Sequence, residues 1–288
     1  MTAFDVHQHL WPEPLIAALA RRRNPPCLRG GVLELERQGR FDVDLRAHDL
    51  DVRLRELDRH EIDVAIVSLA PSLEIELLPE DEVAPLLDAY HDGILAVERE
   101  SGGRIRALAA ARILDGFAGA TVAADALADV DRLSPLLDEL ASRGLVLFVH
   151  PGPTVTPPGT PTWWAAVVSY TTQMQAAYAA WLAEGLARWP ELRVVFAILA
   201  GGGPFQLERM RSRGVDLPEA PCSNLYVETA SYGRRALELC LVTLGASQLL
   251  YGSDVPVIDA SPTLSAVRGL GQPVANALCR DNPSRLFG

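Results

Sequence analysis

Short apolar runs separated by helical stretches recur along the whole chain, and this rhythm constrains the fold more than any single motif. The runs are Phe4–Leu10, Asp63–Ala70, Ile105–Ala110, Ala118–Ala124, Leu145–His150, Leu192–Leu199, Leu225–Ala230 and Gln248–Ser253, eight in all. Short runs that are apolar at nearly every position suit strands buried on both faces. Between them, Leu50, Leu54 and Leu57 repeat at spacings of 4 and 3, and Val83, Leu86, Leu87, Tyr90, Ile94 and Val97 keep the same helical face. Further helical patterns cover 132–143, 165–188, 204–213, 233–244 and 262–281. Strands alternating with helices predict a parallel sheet built from βα units. Eight such units predict an α/β fold of the (β/α)8 TIM-barrel type, which uses about 250 residues as one domain. The chain of 288 residues is therefore read as one barrel domain, 1–288. An open doubly wound sheet is the alternative. It usually carries a glycine-rich turn after its first strand, and Gln8–Pro12 holds no glycine.

Two segments depart from a regular barrel. Residues 11–47 form an insertion between strand 1 and the next strong helical pattern, with a hairpin expected from Val32–Glu36 and Phe41–Leu45 around Gln38-Gly39. Inserted βα loops lie on the active-site face of a barrel, so this segment is expected to cover the site. Strands 3 and 4 are joined by only about 8 to 12 residues around Ala111–Phe117, where a parallel crossover needs about a dozen. Either helix 3 is truncated or the boundary of one of these strands shifts.

Composition narrows the function classes. Lys and Arg sum to 26 against 37 for Asp and Glu, a net charge of −11. Phosphate binding needs clustered cations, so neither nucleic acid nor an anionic membrane is an expected partner. No apolar run reaches the ~18 residues of a membrane span. The opening Met1–His7 lacks a basic segment followed by an apolar one, so a cytoplasmic location is expected. Cys27, Cys222, Cys240 and Cys279 make no Cys-x-x-Cys pair and read as free thiols in a reducing compartment.

The candidate chemistry lies at strand ends. In His7-Gln8-His9 the two imidazoles share one strand face. His150 ends strand 5 before Pro151, and Asp254 ends strand 8 in Tyr251-Gly252-Ser253-Asp254-Val255-Pro256. Singly, each has a plainer explanation: partly exposed histidines, a strand cap, a helix N-cap. Together they put three imidazoles and a carboxylate at one rim, a donor set for one divalent ion, Zn²⁺ first, with Mn²⁺, Fe²⁺ or Co²⁺ as options. His48, His60 and His91 fall in helical patterns beside charged residues and read as surface residues.

Those residues carry a resemblance. Asp5-Val6-His7-Gln8-His9, Phe148-Val149-His150-Pro151, Pro190–Ala197 with Gly201-Gly202-Gly203, Tyr251–Pro256 and the ending Asp281–Gly288 stand in matching order nearly end to end. The chain resembles the amidohydrolase superfamily, in particular the amidohydrolase-related branch typified by aminocarboxymuconate-semialdehyde decarboxylase. The resemblance implies that His7, His9, His150 and Asp254 bind one catalytic metal. It also implies a histidine at the end of strand 6, yet no histidine follows His150, and the matching inward slot is Ile198.

A bound divalent ion lowers the pKa of water from 15.7 to about 7, so a metal-dependent hydrolase of a small ester, lactone or amide is the first expectation, with Asp254 as the catalytic proton shuttle. Glu228 is a second proton acceptor, or a strand glutamate paired with an arginine. Trp163, Trp164, Ile198 and Tyr232 are the candidate substrate-binding residues, with Trp11 and Tyr170 at the rim. A non-oxidative decarboxylase (carboxy-lyase) of a small aromatic or enol acid is the alternative; no arginine for a substrate carboxylate can be matched to the family. A degenerate barrel that only binds a small ligand is the third reading. The expected partner is a small-molecule substrate, and the resemblance adds a homodimer.

Overall fold

The computed structural model describes residues 1–217 and 222–288. Each predicted apolar run contains a strand. β1 (Phe4–His9) is followed by β2 (Cys27–Arg29), β3 (Val32–Leu35) and β4 (Gly39–Asp42). Then come β5 (Val64–Ser68), β6 (Ile105–Ala107), β7 (Ala109–Ala110), β8 (Gly119–Ala123), β9 (Val146–His150), β10 (Arg193–Phe196), β11 (Leu225–Glu228) and β12 (Leu249–Leu250). One parallel sheet has the order β1-β5-β6 and another β12-β11-β10-β9-β8-β7. β6 and β7 are one run interrupted only at Leu108, and this run joins the two sheets. At the other seam Val6 N donates to Tyr251 O at 2.9 Å and His9 N to Val255 O at 2.8 Å. Gln8 and Val255 pair in parallel there. The chain after β12 thus lies along β1 and closes a TIM barrel.

α1 (Glu13–Arg21) follows β1, and the later helices follow the predicted periodicity: α2 (Leu50–His60), α3 (Glu80–Glu100), α4 (Val130–Arg143) and α5 (Tyr170–Ala180). In α3 the buried residues are Leu86, Leu87, Tyr90, His91, Gly93 and Ile94, while Val83 and Val97 of the stripe read from spacing are half-buried. α4 starts where the Asp129 side chain accepts from Arg132 N and stops at left-handed Gly144. Such capping satisfies end groups that the helix cannot pair itself. No helix among the described residues is long and apolar enough to cross a membrane, and all four cysteines are free.

Two expectations are corrected. Helix 3 is not merely truncated: residues 111–118, between the parallel neighbours β7 and β8, form a loop without a helix. The insertion is also richer than a hairpin. It holds α1 and a three-stranded antiparallel sheet, β2-β3-β4. The predicted hairpin is present with Leu35 opposite Gly39 and Val32 opposite Asp42, so its second strand begins at Gly39 rather than Phe41. This sheet is tied down from outside. The Glu74 carboxylate accepts from Glu36 N at 2.8 Å and Arg37 N at 3.1 Å, and Gln38 Nε2 donates to Ser72 O at 3.0 Å.

Candidate metal centre

The site begins with an irregularity in β1. Its pairing with β5 shifts between Asp5 and Gln8, so one extra residue is accommodated on β1. A bulge lets residues three apart share a face, which plain alternation forbids. Gln8 Nε2 therefore reaches Asp5 Oδ2 at 2.7 Å, and the buried Arg53 of α2 donates to Gln8 Oε1. Asp5 Oδ1 accepts from His7 N at 3.2 Å and Ser253 N at 3.0 Å. This outer network fixes β1 against the chain after β12. Burial pushes the Asp5 carboxyl up to about 6, against the hydrogen bonds from Ser253, Gln8 and His7.

On the inner face, His7, His9 and His150 turn toward one another, with ring centroids 5.0–5.1 Å apart. Each uses Nδ1 outward. His7 Nδ1 meets Glu228 Oε1 at 2.9 Å, His9 Nδ1 meets Ser68 O at 3.0 Å and His150 Nδ1 meets Pro151 O at 2.8 Å. Carboxylates and carbonyls only accept, so all three rings carry their proton on Nδ1. Their Nε2 lone pairs then face inward, and those of His7 and His9 stand 3.2 Å apart. Facing lone pairs at that distance repel unless a cation lies between them. Nitrogens bound to one divalent ion at ~2.0–2.1 Å stand about 3.3 Å apart when tetrahedral. The three ligand atoms lie within 4.8 Å of one another. Asp254 Oδ1 is 3.2 Å from His9 Nε2 and 3.6 Å from His7 Nε2. The donor set fits a divalent ion: three neutral imidazoles, with Asp254 beside them and Glu228 behind His7, two carboxylates that balance its charge.

The electrostatics point the same way. Burial opposes charge on His7, but Glu228, with Asp254 and Asp5, pushes it up to about 9, so without an ion a proton sits on its Nε2 in the place the ion would take. Burial and the neighbouring His9 and His7 drive His150 well below its ordinary value. Burial would raise Asp254, yet the imidazoles around it, His9 first, hold it below the ordinary carboxylate range. The field thus favours a cation among these groups.

Backbone geometry places the remaining parts. Asp254 has φ 65°, a left-handed conformation that aspartate tolerates better than most residues, and its N–H donates to His7 O at 2.8 Å. β10 ends at Phe196, and Ile198, Leu199, Ala200, Gly201 and Gly202 then run left-handed. That turn aims Ile198 N at Glu228 Oε1, while Ala230 N donates to Glu228 Oε2 at 2.7 Å. Glu228 is fully buried and its partner is His7, which corrects the expected arginine pairing.

Over the centre lies a cavity of about 390 Å³. Trp11, Leu33, Phe41, Leu73, Tyr170 and Ile198 line it, so the β2-β3-β4 sheet forms part of its wall. Tyr170 Oη donates to Gln38 Oε1 at 2.5 Å and links α5 to that sheet. Several expected lining residues lie elsewhere. Trp163 is 53% exposed, and neither it nor Trp164 lines the cavity, because the two rings pack on each other at 6.0 Å in their own loop. Tyr232 does not line it either. His48 and His91 are buried rather than on the surface. His48 stacks on Trp11 at 4.7 Å and lines the cavity. His91 Nε2 accepts from Ala110 N at 3.0 Å. His60 is half-buried.

Sequence reasoning missed Arg53, Gln8 and Asp5 as a unit. Arg53 lies between Leu50 and Leu57 on the stripe α2 buries, and a cation there was a legible signal of a buried polar partner.

Comparison with known proteins agrees with this architecture. The chain is 23% identical, over 88% of its length and 81% of the relative's, to 2-amino-3-carboxymuconate-6-semialdehyde decarboxylase of Dictyostelium discoideum. The fold superposes on IDCase of Metarhizium anisopliae in its apo form with a TM-score of 0.82 at 20% identity, covering 99% of this chain and 97% of that one. It superposes on a dihydroxybenzoic acid decarboxylase from Polaromonas, with bound manganese and an inhibitor, at a TM-score of 0.72 and 17% identity, covering 99% and 96%. The family model described as amidohydrolase matches residues 4–288, and the chain therefore belongs to the amidohydrolase family.

Proposed function

We propose that this chain is a divalent-metal-dependent, non-oxidative decarboxylase of a small hydroxyaryl or enol acid, in preference to a hydrolase. One observation carries the choice. Of the aspartates that line the cavity, Asp42, Asp44 and Asp254, the one beside the inward-facing imidazole nitrogens is Asp254, while Ile198 presents an apolar side chain where the resemblance calls for a histidine. Hydrolysis must activate a water and protonate a leaving group. Decarboxylation needs no water and one proton delivered to carbon. The names of the relative and of the Polaromonas neighbour support the same reading.

A divalent ion held by His7, His9 and His150 would supply a Lewis acid for oxygens of the substrate; Zn²⁺ and Mn²⁺ are the two ions proposed. Asp254, a carboxylate at neutral pH, takes the proton of the substrate hydroxyl. The bond to the carboxylate carbon breaks, carbon dioxide leaves and the electron pair stays on the ring or enol carbon. Asp254 then returns its proton to that carbon, so the step balances without water. Trp11, Leu33, Leu73 and Ile198 exclude solvent that would otherwise compete for the proton. The cavity volume, about 390 Å³, suits one ring with its substituents. Glu228 keeps His7 in the tautomer that offers Nε2.

The test is turnover of a panel of 2-hydroxybenzoates and enol acids by the zinc- and manganese-loaded protein in deuterated water. The expected result is carbon dioxide release with one deuterium on the vacated carbon. Turnover of esters or lactones with no carbon dioxide from any acid would restore the hydrolase reading.

A further inference from the structure

We propose that His48 is a specificity-determining residue: it presents a neutral Nε2–H donor to a second oxygen of the bound acid, from the Trp11–His48 wall of the cavity. That the ligand is an acid rests on the decarboxylase reading; the donor itself does not. The tautomer follows from one contact. Trp11 N, a backbone donor with no alternative role, points at His48 Nδ1 at 3.1 Å. An imidazole that accepts at Nδ1 is neutral and carries its proton on Nε2. The ring is also fixed in plane, stacked on Trp11 at 4.7 Å with 9° between planes.

Nε2 is the free end of this arrangement. His48 has no other hydrogen bond among the described residues, and its Nε2 is not sealed as a buried orphan. The residue is only 7% exposed, and what it faces is the cavity above the metal centre. His48 is therefore the tautomeric opposite of His9 and His150 in the same cavity. Those rings give up Nδ1–H to carbonyls and offer Nε2 lone pairs, which suit a cation. His48 accepts at Nδ1 and offers a proton, which suits an oxygen. Burial, with the Arg53 guanidinium nearby, pushes His48 down to about 3, so the donor stays neutral through the physiological range.

This narrows the substrate class. Among the described residues the cavity is lined by no lysine or arginine. A second carboxylate on the ligand would be desolvated without a counter-charge, at a cost that a neutral donor does not meet. A hydroxyl, ether or carbonyl oxygen would be met. The substrate is thus a monocarboxylic acid with a further neutral acceptor oxygen, and not a dicarboxylate.

Two measurements on the zinc-loaded full chain test this. Side-chain ¹⁵N NMR should show one histidine, absent from His48→Asn, with protonated Nε2 and bare Nδ1 that does not titrate between pH 8 and pH 5. An imidazolium or an Nδ1–H tautomer there overturns the proposal. Calorimetry should compare 2-hydroxybenzoate with its hydroxy- and methoxy-substituted forms and with 2-hydroxyisophthalate, a dicarboxylate. At least one neutral substituent should tighten binding about 2- to 10-fold, the range of one hydrogen bond, and the dicarboxylate should bind more weakly. His48→Asn keeps an acceptor for Trp11 N and lacks the Nε2 donor, so within that variant the substituted and unsubstituted monocarboxylates should bind with equal affinity. A gain that survives in His48→Asn, or a tighter dicarboxylate, overturns the proposal. Binding is read without turnover, so failure of the decarboxylation assay leaves these outcomes interpretable.

Discussion

Glu228 Oε1 lies 2.9 Å from His7 Nδ1, and neither side chain is open to solvent. The pair makes a carboxylate–histidine couple whose free end is the metal-facing Nε2. Glu228→Gln keeps the shape and an accepting oxygen but removes the charge. Metal affinity should fall about 10- to 100-fold, the usual effect of losing such a partner. Competition with a chromogenic chelator measures it, and unchanged affinity would show that Glu228 only fills space.

Gly252 makes room for that couple. A Cβ there would collide with Glu228 Oε2 and stand 2.7 Å from His7 Cβ. Gly252→Ala should destabilise the protein by about 1–3 kcal/mol, the range for overpacking a core, and lower its metal content. Urea unfolding and elemental analysis read the two effects; a variant with wild-type values of both would mean that the couple has slack.

Asp254 Oδ1 lies 3.2 Å from His9 Nε2 and 3.6 Å from His7 Nε2. Asp254→Asn should lower turnover by about 10²- to 10⁴-fold, the range for a positioned acid–base group, while His7, His9 and His150 still hold the ion. Turnover within a few-fold of wild type would remove Asp254 from the proton path.

Glu74 holds the cavity cover by accepting from Glu36 N and Arg37 N. Glu74→Ala leaves both donors without that acceptor, a loss of about 1–3 kcal/mol for a buried group. Hydrogen exchange at Glu36 and Arg37 should accelerate, with weaker ligand binding. Unaltered exchange there would mean that Gln38 and Tyr170 suffice to hold the sheet.

His91 predicts acid sensitivity. Burial, with Arg112 nearby, pushes it down to about 4 from 6.5. The folded state then binds fewer protons than the unfolded one between these values. The contribution of neutral His91 is complete above pH 6.5 and is lost as the pH falls to about 4. The stability advantage of wild type over His91→Phe should shrink steadily over that window, by at most about 1.4 kcal/mol for each pH step of one. A difference that stays constant from pH 7 to pH 4.5 would place the His91 pKa near its ordinary value.

Much of this was legible before any tertiary information. The strand rhythm, the helical stripe of α3 and the strand-end positions of His7, His9, His150 and Asp254 follow from periodicities of 2 and 3.6 and from proline punctuation. Those signals are local, and they survive because tertiary packing agrees with them. The hairpin was half legible, since a glycine turn marks it, but α1 and β2 carry too short a pattern to register.

Other features depended on which elements meet. His48 and His91 sit among charged sequence neighbours and look exposed, yet Trp11 and Ala110, distant in sequence, bury them. Trp163 and Trp164 look like a lid, yet their rings meet each other at a tilt of 33° and neither lines the cavity. Glu228 looks like an arginine's partner, yet barrel closure brings β1 to β11's inner face and gives it His7. Local patterning settles the barrel's repeating units and the donor types at their ends, because periodicity dictates which face of an element is apolar. The tautomers, the partners and the walls of the cavity are settled by the folded arrangement alone, because they depend on contacts between elements far apart in the chain, and local pattern holds no record of them.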